Sequence, residues 1–168
     1  MIKLIIGPMR SGKSLELLRE AEKLHFGRKK YILIRPEIDD REFISRSYKT
    51  LHNLNIIKTN NINDAIVNEY DYILLDEFQF FDNSIINIII DNISKNWVLC
   101  GLNINYESKL FENIINILPY ADRIYKLSSI CEKCGSEYGN HNISNTGEIC
   151  VGDDYTILCS TCKLQLKG

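Results

Sequence analysis

An α/β fold, with a parallel sheet flanked by helices and a small cysteine-rich lobe at its carboxyl end, is what this 168-residue sequence predicts. Three observations carry that expectation. The apolar run Ile2 to Ile6 feeds a loop, GPMRSGKS, in which Gly7, Gly12, Lys13 and Ser14 stand at the spacing GxxxxGK[ST]. A second apolar run, Tyr72 to Leu75, ends in the paired acids Asp76 and Glu77. Near the carboxyl end Cys131 with Cys134, and Cys159 with Cys162, form two CxxC pairs.

The first strand, Ile2 to Ile6, delivers the chain to a tight loop whose backbone N–H groups point inward where a helix begins, a cradle for phosphate oxygens. Gly7, Pro8, Met9, Arg10, Ser11, Gly12, Lys13 and Ser14 make up that cradle. Glycine admits positive φ and close approach of an anion, Lys13 adds a cation, and the Ser14 hydroxyl suits Mg²⁺. A nucleoside triphosphate is therefore the expected ligand, against a chance Gly-Lys turn.

SLELLREAEKLHF from Ser14 has apolar residues at Leu15, Leu18, Ala21 and Leu24 and reads as an amphipathic helix stopped by Gly27. YILIRP from Tyr31 is the second strand, closed by Pro36. A polar stretch follows to about Leu54, and its crowded charges in EIDDREF suit either a loop over the site or a solvated surface. IIKT from Ile56 is a short strand, and INDAIVNEY from Ile62 a helix opened by an Asn cap. DYILLDE then places Asp76 and Glu77 where open parallel sheets hold ligands, beyond the carboxyl ends of their strands. Asp76 is expected to share magnesium with Ser14, and Glu77, facing the other way by strand alternation, to address a substrate hydroxyl. A helix from about Asn83 to Ser94, the strand WVLCGLN and a helix over Leu110 to Leu118 continue the alternation. The boundary of a second unit falls near Cys131, giving 1–128 and 129–168.

Four thiolates in two knuckles complete a tetrahedral zinc site with no position for water, the mark of a structural metal; disulfides or a redox CxxC are the alternatives. Cys100 reads as a small core residue, and Cys150 is left over near the lobe. The net charge of −2, without a block of like charges, advertises neither a nucleic-acid nor a membrane surface, so small partners are expected. MIKLIIG lacks the pattern of an export signal, and no apolar run reaches membrane-spanning length; a cytoplasmic enzyme follows as the expectation.

Together these segments resemble the zinc-containing thymidine kinases of the cellular and poxviral type, nearly end to end. GPMRSGKSLELLR is similar to that family's GPMFSGKTxELLR, RPEIDDR to KPxxDxR, LLDEFQFF to IDEAQFF, and GLNINYESKLF to GLDGxFxxxPF. LPYADRIYKLSSICEKCG and GDDYTILCSTC are similar to its terminal zinc lobe.

The resemblance implies a RecA-like P-loop core and transfer of the γ-phosphoryl of ATP to the 5′-hydroxyl of thymidine, with deoxyuridine the near alternative. It assigns Glu77 as the base, Lys13 and Arg41 to the phosphates, and Asp39 to the magnesium hydration shell or a nucleoside hydroxyl. Asp76, Glu77, Phe78 and Gln79 join the phosphate loop around the nucleotide. Met9, Phe80, Leu102 and Tyr106 would enclose the base; core packing also explains Met9, Phe80 and Leu102. Val151, Gly152, Asp153, Asp154 and Tyr155 would form a lasso loop that closes over the nucleoside through backbone groups. Homodimers or homotetramers and inhibition by thymidine triphosphate are further implications of the family. This chain differs at Arg10 (family Phe), Glu42 (Tyr), Asn103 (Asp), Ile104 (Gly) and Tyr106 (Phe). Two rivals remain: a nucleic-acid-dependent ATPase gripping DNA with the zinc lobe, and a nucleotide-binding relative without catalysis.

Overall fold

The computed structural model describes residues 1–39, 54–144 and 155–166. Among these, six strands form one sheet in the order β3-β2-β4-β5-β1-β6, every neighbouring pair parallel. The strands are β1 (Ile2–Gly7), β2 (Tyr31–Arg35), β3 (Ile56–Lys58), β4 (Tyr72–Leu75), β5 (Asn96–Leu102) and β6 (Arg123–Lys126). Every residue of β1 is buried, as a strand covered on both faces requires, and the continuous apolar run IKLIIG supplies that coverage.

Alternate side chains along each strand enter two separate cores. Ile5, Leu33, Leu74, Val98 and Cys100 pack with Leu17, Leu18 and Ala21 of α1 (Lys13–Phe26) on one face. Leu4, Ile34, Leu75 and Leu99 pack on the other face with Val67 of α2 (Asp64–Glu69), Ile85, Ile86 and Ile89 of α3 (Ile85–Asp91), and Ile114 and Ile117 of α4 (Glu112–Ile117). The result is a three-layer α/β sandwich, the fold class the sequence predicts. The expected cap of α2 is present: the Asn63 side chain accepts the Ile66 N–H at 3.2 Å.

Several elements differ from expectation at their ends. The helix expected from Asn83 to Ser94 is confined to Ile85–Asp91, where Asn92 turns back to donate to the Ile88 carbonyl and accepts the Trp97 indole N–H. The one expected over Leu110 to Leu118 is Glu112–Ile117, followed by a 3₁₀ turn containing Pro119. Strand β6 carries no sequence signal: all four residues of RIYK are exposed, so no apolar alternation announces it, and pairing to β1 makes it the sheet edge. Beyond it β7 (His141–Ser144) and β8 (Tyr155–Leu158) form an antiparallel pair, and α5 (Ser160–Leu164) follows. Among the described residues no helix is long and apolar enough to cross a membrane.

Candidate functional site

The carboxyl ends of β1, β4 and β5 lie side by side in the sheet, and each delivers one part of the site. From β1 comes the phosphate loop. A side chain at Gly7 would bring its Cβ within 2.7 Å of both the Leu127 carbonyl oxygen and Ser11 Oγ, so only glycine lets the loop fold against the chain just after β6. Gly12, at φ +83°, turns the chain into α1 through a conformation that L side chains rarely adopt. Lys13 is buried, and its ammonium donates to the Pro8 carbonyl at 2.6 Å, while Ser11 Oγ donates to the same oxygen at 2.9 Å.

From β4 come the two acids. Ser14 Oγ donates to Asp76 Oδ1 at 3.3 Å, joining the first turn of α1 to the tip of β4. Burial, reinforced by the charge of Glu77, pushes Asp76 up to about 6, while the Cys100 thiol donates to its carboxylate and pulls the other way. Cys100 is thus a core residue with a polar contact; burial followed by the charge of Asp76 raises its thiol well above the ordinary value.

Glu77 does not owe its direction to strand alternation, as the sequence suggested. The strand ends at Leu75, and Glu77 sits in the left-handed region at φ 48°, ψ 45°, turning the chain into the 3₁₀ segment Phe78–Phe80. It is buried and accepts the Gln79 side-chain N–H at 2.6 Å. Residues 9 to 15 and Glu77 line an open cleft of about 590 Å³, large enough for the phosphates of a nucleotide. Gln79 itself is engaged on both sides: its Oε1 accepts the Leu102 N–H at 3.0 Å. Phe78 is wholly buried in the core.

A second, smaller pocket, with about 290 Å³ of empty space counting its open mouth, adjoins the first and shares Met9 with it. Phe80, Leu102 and Tyr106 line this cavity with Met9, so the four residues expected around a base come together, and Tyr155 of β8 joins them. Ile104, Asn105, Phe111 and Asn142 complete the wall. Asn103, the departure beside this pocket, is buried with Oδ1 lacking a hydrogen-bond partner. An aspartate there would carry a full charge into the same surroundings, which a neutral amide avoids.

Asp39 is only 1% exposed and pairs with Arg35, whose Nη2 lies 2.6 Å from Asp39 Oδ2; its carboxylate already faces a guanidinium. Arg41, Glu42, Cys150, Val151, Gly152, Asp153 and Asp154 fall outside the described residues.

Cys131, Cys134, Cys159 and Cys162 present sulfurs all within 4.8 Å of one another, and among the described residues no cysteine is disulfide-bonded. The backbone N–H of Cys159 draws the Cys131 thiol down to about 6, whereas burial and the neighbouring thiols push Cys162 up to about 12. Four sulfurs so close cannot all ionise without a cation, and the donor set fits structural zinc.

Asn142 carries no motif, and sequence reasoning passed it by. It is 2% exposed; its Oδ1 accepts the Met9 N–H at 2.9 Å and its Nδ2 donates to the Ile104 carbonyl at 3.4 Å. An asparagine two residues into an unrecognised strand gives no signal that it will reach the phosphate loop. A second tie runs from Arg10 Nη1 to Glu132 Oε1 at 3.1 Å, and Glu132 also accepts the Ile157 N–H at 3.0 Å. Arg10, one of the departures, therefore faces an acid lodged between Cys131 and Cys134.

A family model described as thymidine kinase matches residues 1–163. The chain is 35% identical over 177 aligned positions to a thymidine kinase of Amsacta moorei entomopoxvirus, an alignment covering 96% of each chain. A thymidine kinase of Metamycoplasma arthritidis is 36% identical over 144 positions, covering 80% of this chain and 73% of that protein. One from Bacteroides thetaiotaomicron is 28% identical over 178 positions, covering 99% and 88%.

Proposed function

The chain belongs to the thymidine kinase family, and on that premise we propose that it transfers the γ-phosphoryl of ATP to the 5′-hydroxyl of thymidine, giving thymidine monophosphate for DNA precursor salvage. The observation that carries the reading is the pair of adjoining cavities with Met9 on both walls: one is a phosphate cradle holding Glu77, the other an apolar slot with aromatic sides. A pyrimidine stacks on Tyr106 or Phe80, and Met9 and Leu102 accept its methyl group. The sugar alcohol then lies toward Glu77.

In the reaction the 5′-oxygen forms a bond to the γ-phosphorus as the bond from that phosphorus to the ADP oxygen breaks. Glu77 takes the hydroxyl proton. Lys13 and the loop N–H groups offset the charge on the phosphates, and Arg41 serves the same charge from the segment after β2. Ser14 and Asp76 would hold Mg²⁺, which a pair of adjacent buried acids suits; when bound it neutralises phosphate charge and orients the triphosphate. The resemblance gives Asp39 a role near that metal or at a nucleoside hydroxyl, with Arg35 holding its carboxylate. By the family resemblance the segment from Val151 to Tyr155 would serve as the lid, and residues 129–168 would make a zinc-binding unit next to the kinase unit 1–128. A homodimer or homotetramer inhibited by thymidine triphosphate follows from the family resemblance alone, and the cytoplasmic setting from the sequence patterns above.

Isotopic transfer from labelled ATP to a panel of deoxynucleosides tests the proposal. Thymidine is the expected acceptor, with deoxyuridine second. No labelled nucleotide with any acceptor, or ATP hydrolysis that DNA strongly stimulates without a nucleoside, overturns it.

A further inference from the structure

Gln79 stands between the two cavities and touches a working part of each. The residue is only 9% exposed, and both ends of its amide are used: Nε2 donates to Glu77 Oε2 at 2.6 Å, while Oε1 accepts the backbone N–H of Leu102 at 3.0 Å. The chain makes room for this crossing. A Cβ at Gly101 would lie 2.6 Å from Gln79 Oε1, so any other residue at the end of β5 would drive the amide out of place.

The Gln79 amide is one of the groups that hold Glu77 in place. Its left-handed backbone conformation leaves the Glu77 carboxylate aimed by the turn and not by a regular strand, so contacts made by the side chain itself decide where the oxygens point. A buried amide that donates to one carboxylate oxygen selects a single orientation. The other end of that amide is held by the pocket floor, because Leu102 lines the nucleoside cavity.

We propose that Gln79 is the positioning residue for Glu77, a rigid amide strut that sets the base against the floor on which the nucleoside rests. The proposal rests on the phosphoryl-transfer reading above, and it moves Gln79 from a nucleotide contact to a link between base and acceptor. A misplaced base loses rate steeply while substrate binding persists, since proton acceptance demands hydrogen-bond distance and binding does not.

Two substitutions separate the two ends of the strut. Gln79→Glu keeps an oxygen for the Leu102 N–H but sets an acid against Glu77; Gln79→Met removes both bonds at similar volume. Steady-state kinetics at saturating ATP, with thermal melting as a check on folding, should show kcat lower by roughly 10- to 100-fold in Gln79→Glu with thymidine KM within about 2-fold of native. Gln79→Met should lose a similar factor in kcat and also raise KM several-fold. In a Glu77→Gln background, Gln79→Glu should cost less than about 2-fold more, because the group it positions is already gone.

Native kcat in a folded Gln79→Glu, or an undiminished penalty in the Glu77→Gln background, overturns the proposal. The native enzyme and Glu77→Gln, run alongside, report on the reaction itself: a native chain that turns over and a Glu77→Gln variant that does not leave the phosphoryl-transfer reading standing whatever Gln79 shows.

Discussion

Ser14 Oγ lies 3.3 Å from Asp76 Oδ1, so a hydroxyl in the first turn of α1 and the acid that follows β4 meet across the sheet. Parallel pairing makes the meeting possible. β5 separates β4 from β1, yet all three strands point the same way and finish on one edge, where the loops that follow converge.

The acid next to Asp76 gives the most direct test. Glu77→Gln should retain ATP affinity, measured by equilibrium binding, while thymidine turnover falls by roughly two to four orders of magnitude. Normal turnover would remove Glu77 from its role.

Asp76 makes stability depend on pH in a direction opposite to most acids. Its folded pKa is raised to about 6 by burial and by Glu77, above the ordinary 3.8, so its favourable contribution is complete below about pH 4 and is lost as pH rises through 6. Asp76→Asn removes that dependence. Without nucleotide or magnesium, the variant should melt above the native protein at pH 7.5, and the gap should close toward pH 4.5. A gap that widens on acidification contradicts the argument.

The cysteine cluster should bind one zinc per chain, counted by metal analysis of the purified protein. Stripping it with a chelator, or Cys162→Ser, should lower the melting temperature and raise amide exchange at β7 and β8 before it affects β1, β4 and β5. Equal exchange throughout would show that the lobe does not depend on metal.

Asn142→Val removes the acceptor for the Met9 N–H from a buried site, a loss of about 1–3 kcal/mol where nothing replaces it. Because Met9 borders both cavities, affinity for ATP and for thymidine should fall together. A change in one alone would place Asn142 in a single pocket.

The phosphate loop, the acidic strand tip and the cysteine pairs were legible in the sequence because each is a short run of neighbouring residues whose chemistry works at fixed spacing. The three-layer fold followed from apolar runs that alternate with helical periods. Base-pocket positions Met9, Phe80, Leu102 and Tyr106 came through family resemblance, since locally the first three look like core. What stayed hidden depends on chain segments far apart. Asn142 reaches Met9 across 133 positions, and Gln79 reaches Leu102 across 23; no periodicity encodes either. β6 was missed for a different reason, its exposed residues having no buried face to mark it.

The attachments from Asn142 to Met9 and from Glu132 to Arg10 mean that the last forty or so residues help shape the nucleotide cradle. A fragment stopped before Cys131 would be left with a frayed loop, its Met9 amide and Arg10 guanidinium stripped of those two companions. Grafting the terminal lobe of a relative onto this chain would accordingly demand that positions 132 and 142 travel with the loop they brace, as one inheritable cassette.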